Sequence, residues 1–274
     1  MSVDTSAWFS NSIQGIPQVG ADFNCFDKHY TPRYAVGTRV MRQDGNEFVY
    51  SHFGADVNRG VLVAQDTDES GENDLDNEVI LPASAAITTD GSINSRFLEI
   101  NLDAATSDSS LDITKDKFAG GYLFITDDTG EGYTYRIKGH TASDVPADQN
   151  IRMELYDKLQ VAVDNTSDII ILGNLYANLE IATAATDCIL AGVTCSTMDV
   201  SEQAYGWVCV KGVVGVLQNG SIAIGDMVSQ SSAVSGAVFK CDDTADATTD
   251  EEILGTCLIA GDDTGHGVFK LKIS

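Results

Sequence analysis

The sequence is short of basic residues. Sixteen Lys and Arg stand against 41 Asp and Glu, so the formal net charge is −25. Nucleic-acid binding draws most of its affinity from basic side chains that neutralise phosphates, so this balance argues against a DNA or RNA partner. The same charge favours solubility and makes identical copies repel one another until salt screens them, over ~10 Å at 0.1 M.

Long apolar segments are also missing. The longest runs, such as residues 169–172, are far shorter than the ~18 residues that a membrane-spanning helix needs. The first residues, 1–5, have neither the basic start nor the apolar stretch of a secretory signal. We therefore expect no membrane partner, and a protein that is either made and used in the cytosol or leaves the cell by lysis.

No catalytic motif is present. The four histidines, His29, His52, His140 and His266, are scattered, and the sequence has no H-E-x-x-H, G-x-S-x-G or Walker motif. The Asp-Asp-Thr-Gly loops at 127–130 and 262–265 precede predicted strands, so they lack the helix N-terminus that binds phosphate. We therefore expect a protein that is not an enzyme and has neither catalytic residues nor a cofactor.

The six cysteines contain no C-x-x-C pair, which argues against a zinc ribbon and against a thioredoxin-like site. In a cytosolic protein, cysteines are more often buried thiols than partners in a disulfide. We therefore assign no chemistry to them. They are Cys25, Cys188, Cys195, Cys209, Cys241 and Cys257.

One acidic stretch partly matches a calcium-binding loop. Residues 66–71 begin like an EF-hand loop, but the twelfth position, where a bidentate Glu should stand, is Asn77. Residues 66–78 hold seven acids and no base, which favours a solvated, self-repelling loop. A loose calcium site is the alternative, and no metal ligand is assigned.

Alternation and turn signals predict β-structure along most of the chain. Residues 38–42 and 47–50 flank the turn pair Asp44-Gly45, and residues 122–125 and 133–137 flank a glycine-bearing turn. Only residues 175–190 show helical spacing, and β-branched residues weaken it. The prediction is an all-β chain of two β-sandwich or small-barrel domains.

The predicted organisation has three parts: an irregular N-terminal arm at 1–36, an N-terminal β-domain at 37–174 and a C-terminal β-domain at 175–274. The arm is rich in aromatic residues without a sustained period. Its rings dock either on their own domain or on a neighbouring chain, since large rings supply much contact energy. The candidate partner-contact residues are Trp8, Phe9, Phe23, Phe26 and Tyr30.

Two regions resemble known structural proteins of phages. The C-terminal pattern is similar to the β-domain of head decoration, or cement, proteins of tailed bacteriophages, and it consists of residues 205–208, 211–212, 224–228, 253–256 and 269–273 with Gly236. The middle region, 120–125 and 133–137, is similar to virion structural proteins of aquatic phages. The resemblance covers about two thirds of the chain and consists of glycine and hydrophobic positions.

The resemblance implies a non-enzymatic virion protein on the outer surface of the capsid. Its partners would be the major capsid protein and further copies of itself, often as a homotrimer. The alternative is a carbohydrate- or receptor-binding β-module, such as a head fibre or a tail adhesin. A calcium-dependent surface-layer protein is a third class, disfavoured because acidic motifs do not repeat.

Overall fold

The computed structural model describes residues 23–65, 78–81, 87–89, 91–101, 113–143, 150–183, 188–241 and 252–273. These ranges contain β-strands and no helix, which confirms the predicted all-β class. No helix in the described part of the chain is long and apolar enough to cross a membrane.

Seventeen strands lie within the described ranges. They are β1 (Arg39–Met41), β2 (Glu47–His52), β3 (Leu62–Gln65), β4 (Glu78–Leu81), β5 (Ile87–Thr89), β6 (Phe97–Asn101), β7 (Tyr122–Asp127), β8 (Thr134–His140), β9 (Asn150–Leu155), β10 (Asp168–Leu172), β11 (Glu180–Ile181), β12 (Ile189–Thr194), β13 (Tyr205–Leu217), β14 (Met227–Gln230), β15 (Val238–Lys240), β16 (Gly255–Ile259) and β17 (His266–Lys272).

The chain forms two compact units. Unit 1 combines Met1–Thr67 with Tyr176–Ser274, and unit 2 is the continuous segment Asp68–Leu175. The predicted division grouped residues 37–67 with the middle of the chain, whereas in the structure they belong with the C-terminal residues. The reason is long-range pairing: β2 pairs with β13, and β3 pairs with β12.

Unit 1 is built on a ten-stranded, curled sheet. Its main path runs β11-β3-β12-β13-β17-β16-β14-β15, with β2 pairing to both β13 and β1. The thirteen-residue β13 joins the sheet together, because its first half pairs with β2 and its second half with β17. At the change of partner lies Gly212, with φ +117°, where an added Cβ would overlap Asn46.

Unit 2 is a seven-stranded sheet in the order β4-β10-β7-β8-β9-β6-β5. The predicted hairpin of residues 122–137 is present, with Leu123 opposite Tyr135. Alternate residues of β8, Tyr135 and Ile137, are buried in an apolar cluster that includes Phe118 and Ile151. The alternating apolar residues of this strand therefore lie in the core, as their period of two predicted.

Residues 175–190 are not helical where the structure describes them. They contribute β11 and the start of β12, with Leu179 and Ala182 fully buried beside the sheet. The helical spacing was overridden because this segment completes backbone ladders with β3. The acidic stretch 66–77, with its calcium alternative, lies outside the described residues, as do Trp8 and Phe9.

Candidate functional site

The described part of the N-terminal arm, residues 23–36, is here called the N-terminal segment. Phe23 packs edge-on against Trp207, with ring centroids 4.9 Å apart, and lies 5.5 Å from Phe48. His29 and Tyr205 exchange two backbone hydrogen bonds, of 2.8 and 3.1 Å. The segment is therefore irregular, as predicted, and is docked on the sheet of its own unit.

A buried polar pair strengthens this docking. The His29 ring nitrogen Nδ1 lies 2.9 Å from the Tyr50 hydroxyl, which also accepts the Arg33 backbone N–H at 3.2 Å. Burial lowers the pKa of His29 and raises the pKa of Tyr50, so both groups are neutral near pH 7. The tyrosine hydroxyl can then donate a hydrogen bond to the imidazole. This pair therefore has a structural role.

Two of the predicted contact residues point outwards. The side chains of Phe26 and Tyr30 are 64% and 71% exposed. The backbone beside them is tethered to the sheet, since the Ser196 hydroxyl donates to the Phe26 carbonyl at 3.0 Å and the His29 backbone pairs with that of Tyr205. An ordered backbone thus presents two large rings that their own unit does not bury.

A cleft of about 510 Å³ lies where the N-terminal segment meets the sheet. Three cysteines from distant parts of the chain line it and define what we call the thiol cleft: Cys25, Cys195 and Cys209. Arg42 and Arg59 also line the cleft. Cysteines separated by about 170 residues of sequence gave no spacing signal, so sequence patterns missed this cluster.

Two of the three thiols, Cys25 and Cys209, differ in their protonation behaviour. A hydrogen bond from Cys195 and the positive charge of Arg42 lower the pKa of Cys25 to about 7, against the opposing effect of burial. Burial raises the pKa of Cys209 to about 12, and its S–H donates to the Lys211 carbonyl at 3.5 Å. Cys25 is therefore the thiol that ionises near neutral pH, and Cys209 stays protonated.

None of the six cysteines, all within the described ranges, is part of a disulfide. Cys25, Cys209 and Cys257 are buried, as expected for small apolar side chains, whereas Cys188, Cys195 and Cys241 are only half-buried. Within the described ranges, no group of three or more His, Cys, Asp or Glu side chains is arranged to hold a metal ion.

The histidines at His29, His52 and His140 are hydrogen-bonded to neighbouring groups, and burial lowers the pKa of each. Two of them contact backbone: His52 Nδ1 accepts the Asn178 N–H, and His140 Nε2 accepts the Phe118 N–H. These rings hold loops in place. Their geometry is that of structural side chains.

One face of the unit 1 sheet carries a second exposed surface, which includes Val213, a residue that also lines the thiol cleft. Val213 and Thr256 both lie opposite Lys270, and Met227 lies opposite Thr256, so these residues share one face. Val213 and Met227 are 48% and 54% exposed. In a strongly acidic protein, this face is a local patch of apolar and basic side chains.

Comparison with family models, with curated proteins and with solved structures finds no match to this chain.

Proposed function

We propose that this protein is a non-enzymatic structural component of a virion that coats and stabilises the outer surface of a phage capsid. Its partners are the major capsid protein and other copies of itself. The observation that supports this most is the presentation of Phe26 and Tyr30 on a fixed backbone. Large rings that are held outwards before binding give contact energy without a further cost of ordering the segment.

The charge of the protein supports a position on the outer surface of the capsid. A protein with net charge −25 is repelled by packaged DNA and does not compete for phosphate contacts. Copies that carry this charge also repel each other, so association on a shell depends on buried apolar surface and is helped by salt. This trend is opposite to that of a nucleic-acid binder.

Self-association has its own candidate surface. Val213, Met227 and the Lys270 beside them form a patch that is apolar and basic, whereas the chain as a whole is acidic. Such a patch is attracted to an acidic neighbour and buries apolar area on contact. A homotrimer assembled in this way would present three copies of the N-terminal segment to the shell, so modest contacts add through multivalency.

The test is electron cryo-microscopy of undecorated heads with and without the purified protein. The expected result is extra density on the outer surface of the shell, at symmetry-related positions. Density inside the shell or only on the tail would contradict the proposal. So would heads that remain bare at saturating protein concentration.

A second function, carbohydrate or receptor binding, is favoured by one surface of unit 2. Arg136 lies over the Tyr156 ring at 5.2 Å, and Tyr122 lies opposite Arg136 across the β7–β8 pair. Tyr122 and Tyr156 are both exposed. Flat aromatic rings with an adjacent donor suit stacking on sugars, so this alternative predicts glycan-array binding that Tyr156→Ala removes.

A further inference from the structure

The thiol cleft is assembled by the fold. Cys209 lies in β13 opposite Val193 of β12, and the backbone N–H of Cys195 donates to the Trp207 carbonyl at 3.2 Å. Cys195, which directly follows β12, is therefore a diagonal neighbour of Cys209 on β13. The docked N-terminal segment then brings Cys25 into the same apolar cluster.

Cys25 and Cys195 line the same cleft and pack in the same apolar cluster. The neighbouring Cys195 thiol lowers the pKa of Cys25 and so favours its thiolate form. Arg42 lines the same cleft and its positive charge favours the ionised form of Cys25. A cysteine that ionises near neutral pH, clustered with a second thiol along a cleft, is the arrangement of a redox-active pair.

We propose that Cys25 and Cys195 are a redox-active thiol pair, which forms a reversible disulfide when the protein meets a peroxide. In the first step the Cys25 thiolate attacks hydrogen peroxide, the O–O bond breaks, and Cys25 sulfenic acid and hydroxide form. In the second step the Cys195 thiol attacks the sulfenic sulfur, the S–S bond forms, and water leaves. The two cysteines are oxidised, and the peroxide oxygens are reduced.

The third thiol of the cleft does not take part. Cys209 is buried, and its S–H is directed to the Lys211 carbonyl, so it stays in the unreactive protonated form. Cys188 lies in a different apolar cluster of unit 1, beside Gln230. It therefore serves as a matched control that is half-buried, like Cys195, but outside the cleft.

The disulfide would tie the N-terminal segment to the sheet. The bond closes a loop of about 170 residues, and cross-links across long loops restrict the unfolded chain most. Phe26 follows Cys25 directly, so the same bond would fix the backbone that presents this exposed ring. Oxidation would then stabilise unit 1 and hold the N-terminal segment in its docked position.

The experiment uses the full chain, treated with one equivalent of hydrogen peroxide and mapped by mass spectrometry of non-reduced peptides. The expected product links Cys25 to Cys195, is absent in Cys25→Ser and in Cys195→Ser, and persists in Cys188→Ser. Tryptophan fluorescence should report a rise in the unfolding midpoint of about 5 °C that dithiothreitol reverses. A link that involves Cys209, or oxidation spread evenly over the six cysteines, would overturn the proposal.

A second measurement does not depend on how the variants fold. In the untreated full chain, iodoacetamide at pH 7 should modify Cys25 at least tenfold faster than any other cysteine. Equal labelling of Cys25 and Cys188 would contradict an activated thiol in the cleft.

Discussion

Unit 1 and unit 2 are both β-sheet bodies, but they are built in different ways. Unit 1 is assembled from the two ends of the chain, whereas unit 2 is one continuous segment. Unit 1 contains every cysteine and both tryptophans, Trp8 and Trp207, and its described residues form three apolar clusters. The described residues of unit 2 form one cluster. The comparison shows that unit 2 is an insertion into unit 1.

The insertion begins and ends at neighbouring strands. The chain leaves unit 1 after β3 and returns just before β11, and these two strands pair, with Glu180 opposite Ala64. Because the ends of the insertion lie close together, unit 1 closes its sheet without any contribution from the inserted residues. We therefore expect the two units to unfold as separate cooperative bodies.

The largest expected effect comes from matched core truncations. Phe269 in unit 1 and Phe118 in unit 2 are both fully buried, so replacing either with Ala should cost about 3–5 kcal/mol in its own unit. Tryptophan fluorescence reports only on unit 1, because unit 2 has no tryptophan. The urea midpoint detected by tryptophan fluorescence should therefore fall for Phe269→Ala and stay unchanged for Phe118→Ala. Equal shifts would show that the units unfold together.

A smaller effect separates two glycines with positive φ. Gly212→Ala should destabilise unit 1 by about 3 kcal/mol, because strain at φ +117° adds to a clash with the Asn46 backbone 2.8 Å away. Gly132 in unit 2 has φ +84° and open space around it, so Gly132→Ala should cost about 1 kcal/mol. Circular dichroism melts of both variants measure the difference. Equal costs would contradict the close approach of β13 to Asn46.

The pH dependence should have the same sign in both units. Burial lowers the pKa of His140 in unit 2 and of His29 and His52 in unit 1. As pH falls, these histidines bind protons in the unfolded chain, where their pKa is ~6.5, before they do so in the folded chain. The stability that they contribute is therefore fully present above pH ~6.5 and is lost as pH falls towards their lowered pKa in the folded chain. Urea midpoints between pH 7.5 and 5 should fall for both units.

The control for this dependence is His140→Gln, which keeps an acceptor near the Phe118 N–H but does not titrate. It should flatten the slope in unit 2 and leave the tryptophan-detected slope of unit 1 unchanged. An unaltered slope in unit 2 would remove His140 from the explanation.

The smallest expected effect compares two ion pairs of equal length. Lys211 and Glu47 in unit 1, and Lys138 and Glu154 in unit 2, each have a 2.6 Å contact with a partly exposed lysine. Exposed pairs are screened by water and salt, so Lys211→Met and Lys138→Met should each change stability by less than about 1 kcal/mol. A loss above 2 kcal/mol in either variant would show a pair more protected from solvent than its exposure indicates.

Local patterns predicted the strands and hairpins, because alternation and turn chemistry depend on neighbouring residues. The Asp44-Gly45 turn and the alternation of β8 are examples. The pairing of β2 with β13, which joins the two ends of the chain, has no local signal. For the same reason the thiol cleft was not predicted, since it depends on which distant strands meet.

The candidate contact residues were predicted only as a group. Aromatic content identified the arm, but nothing local distinguishes Phe23, which packs on Trp207, from Phe26, which is exposed. The arm should be tested by point substitutions and not by deletion. Residues 23–36 include Cys25 and His29, which are buried, so deleting the whole arm would damage the core of unit 1.

The most direct test of the account is therefore the binding of full-length variants to undecorated heads, measured by co-sedimentation. Phe26→Ser combined with Tyr30→Ser should weaken binding at least tenfold, while the matched pair Tyr122→Ser and Tyr156→Ser in unit 2 leaves it unchanged. Binding of the unaltered protein should strengthen between 50 and 200 mM salt, as screening reduces the repulsion between copies. Full binding by the Phe26 and Tyr30 double variant, or loss of binding only in the unit 2 pair, would contradict docking through the N-terminal segment.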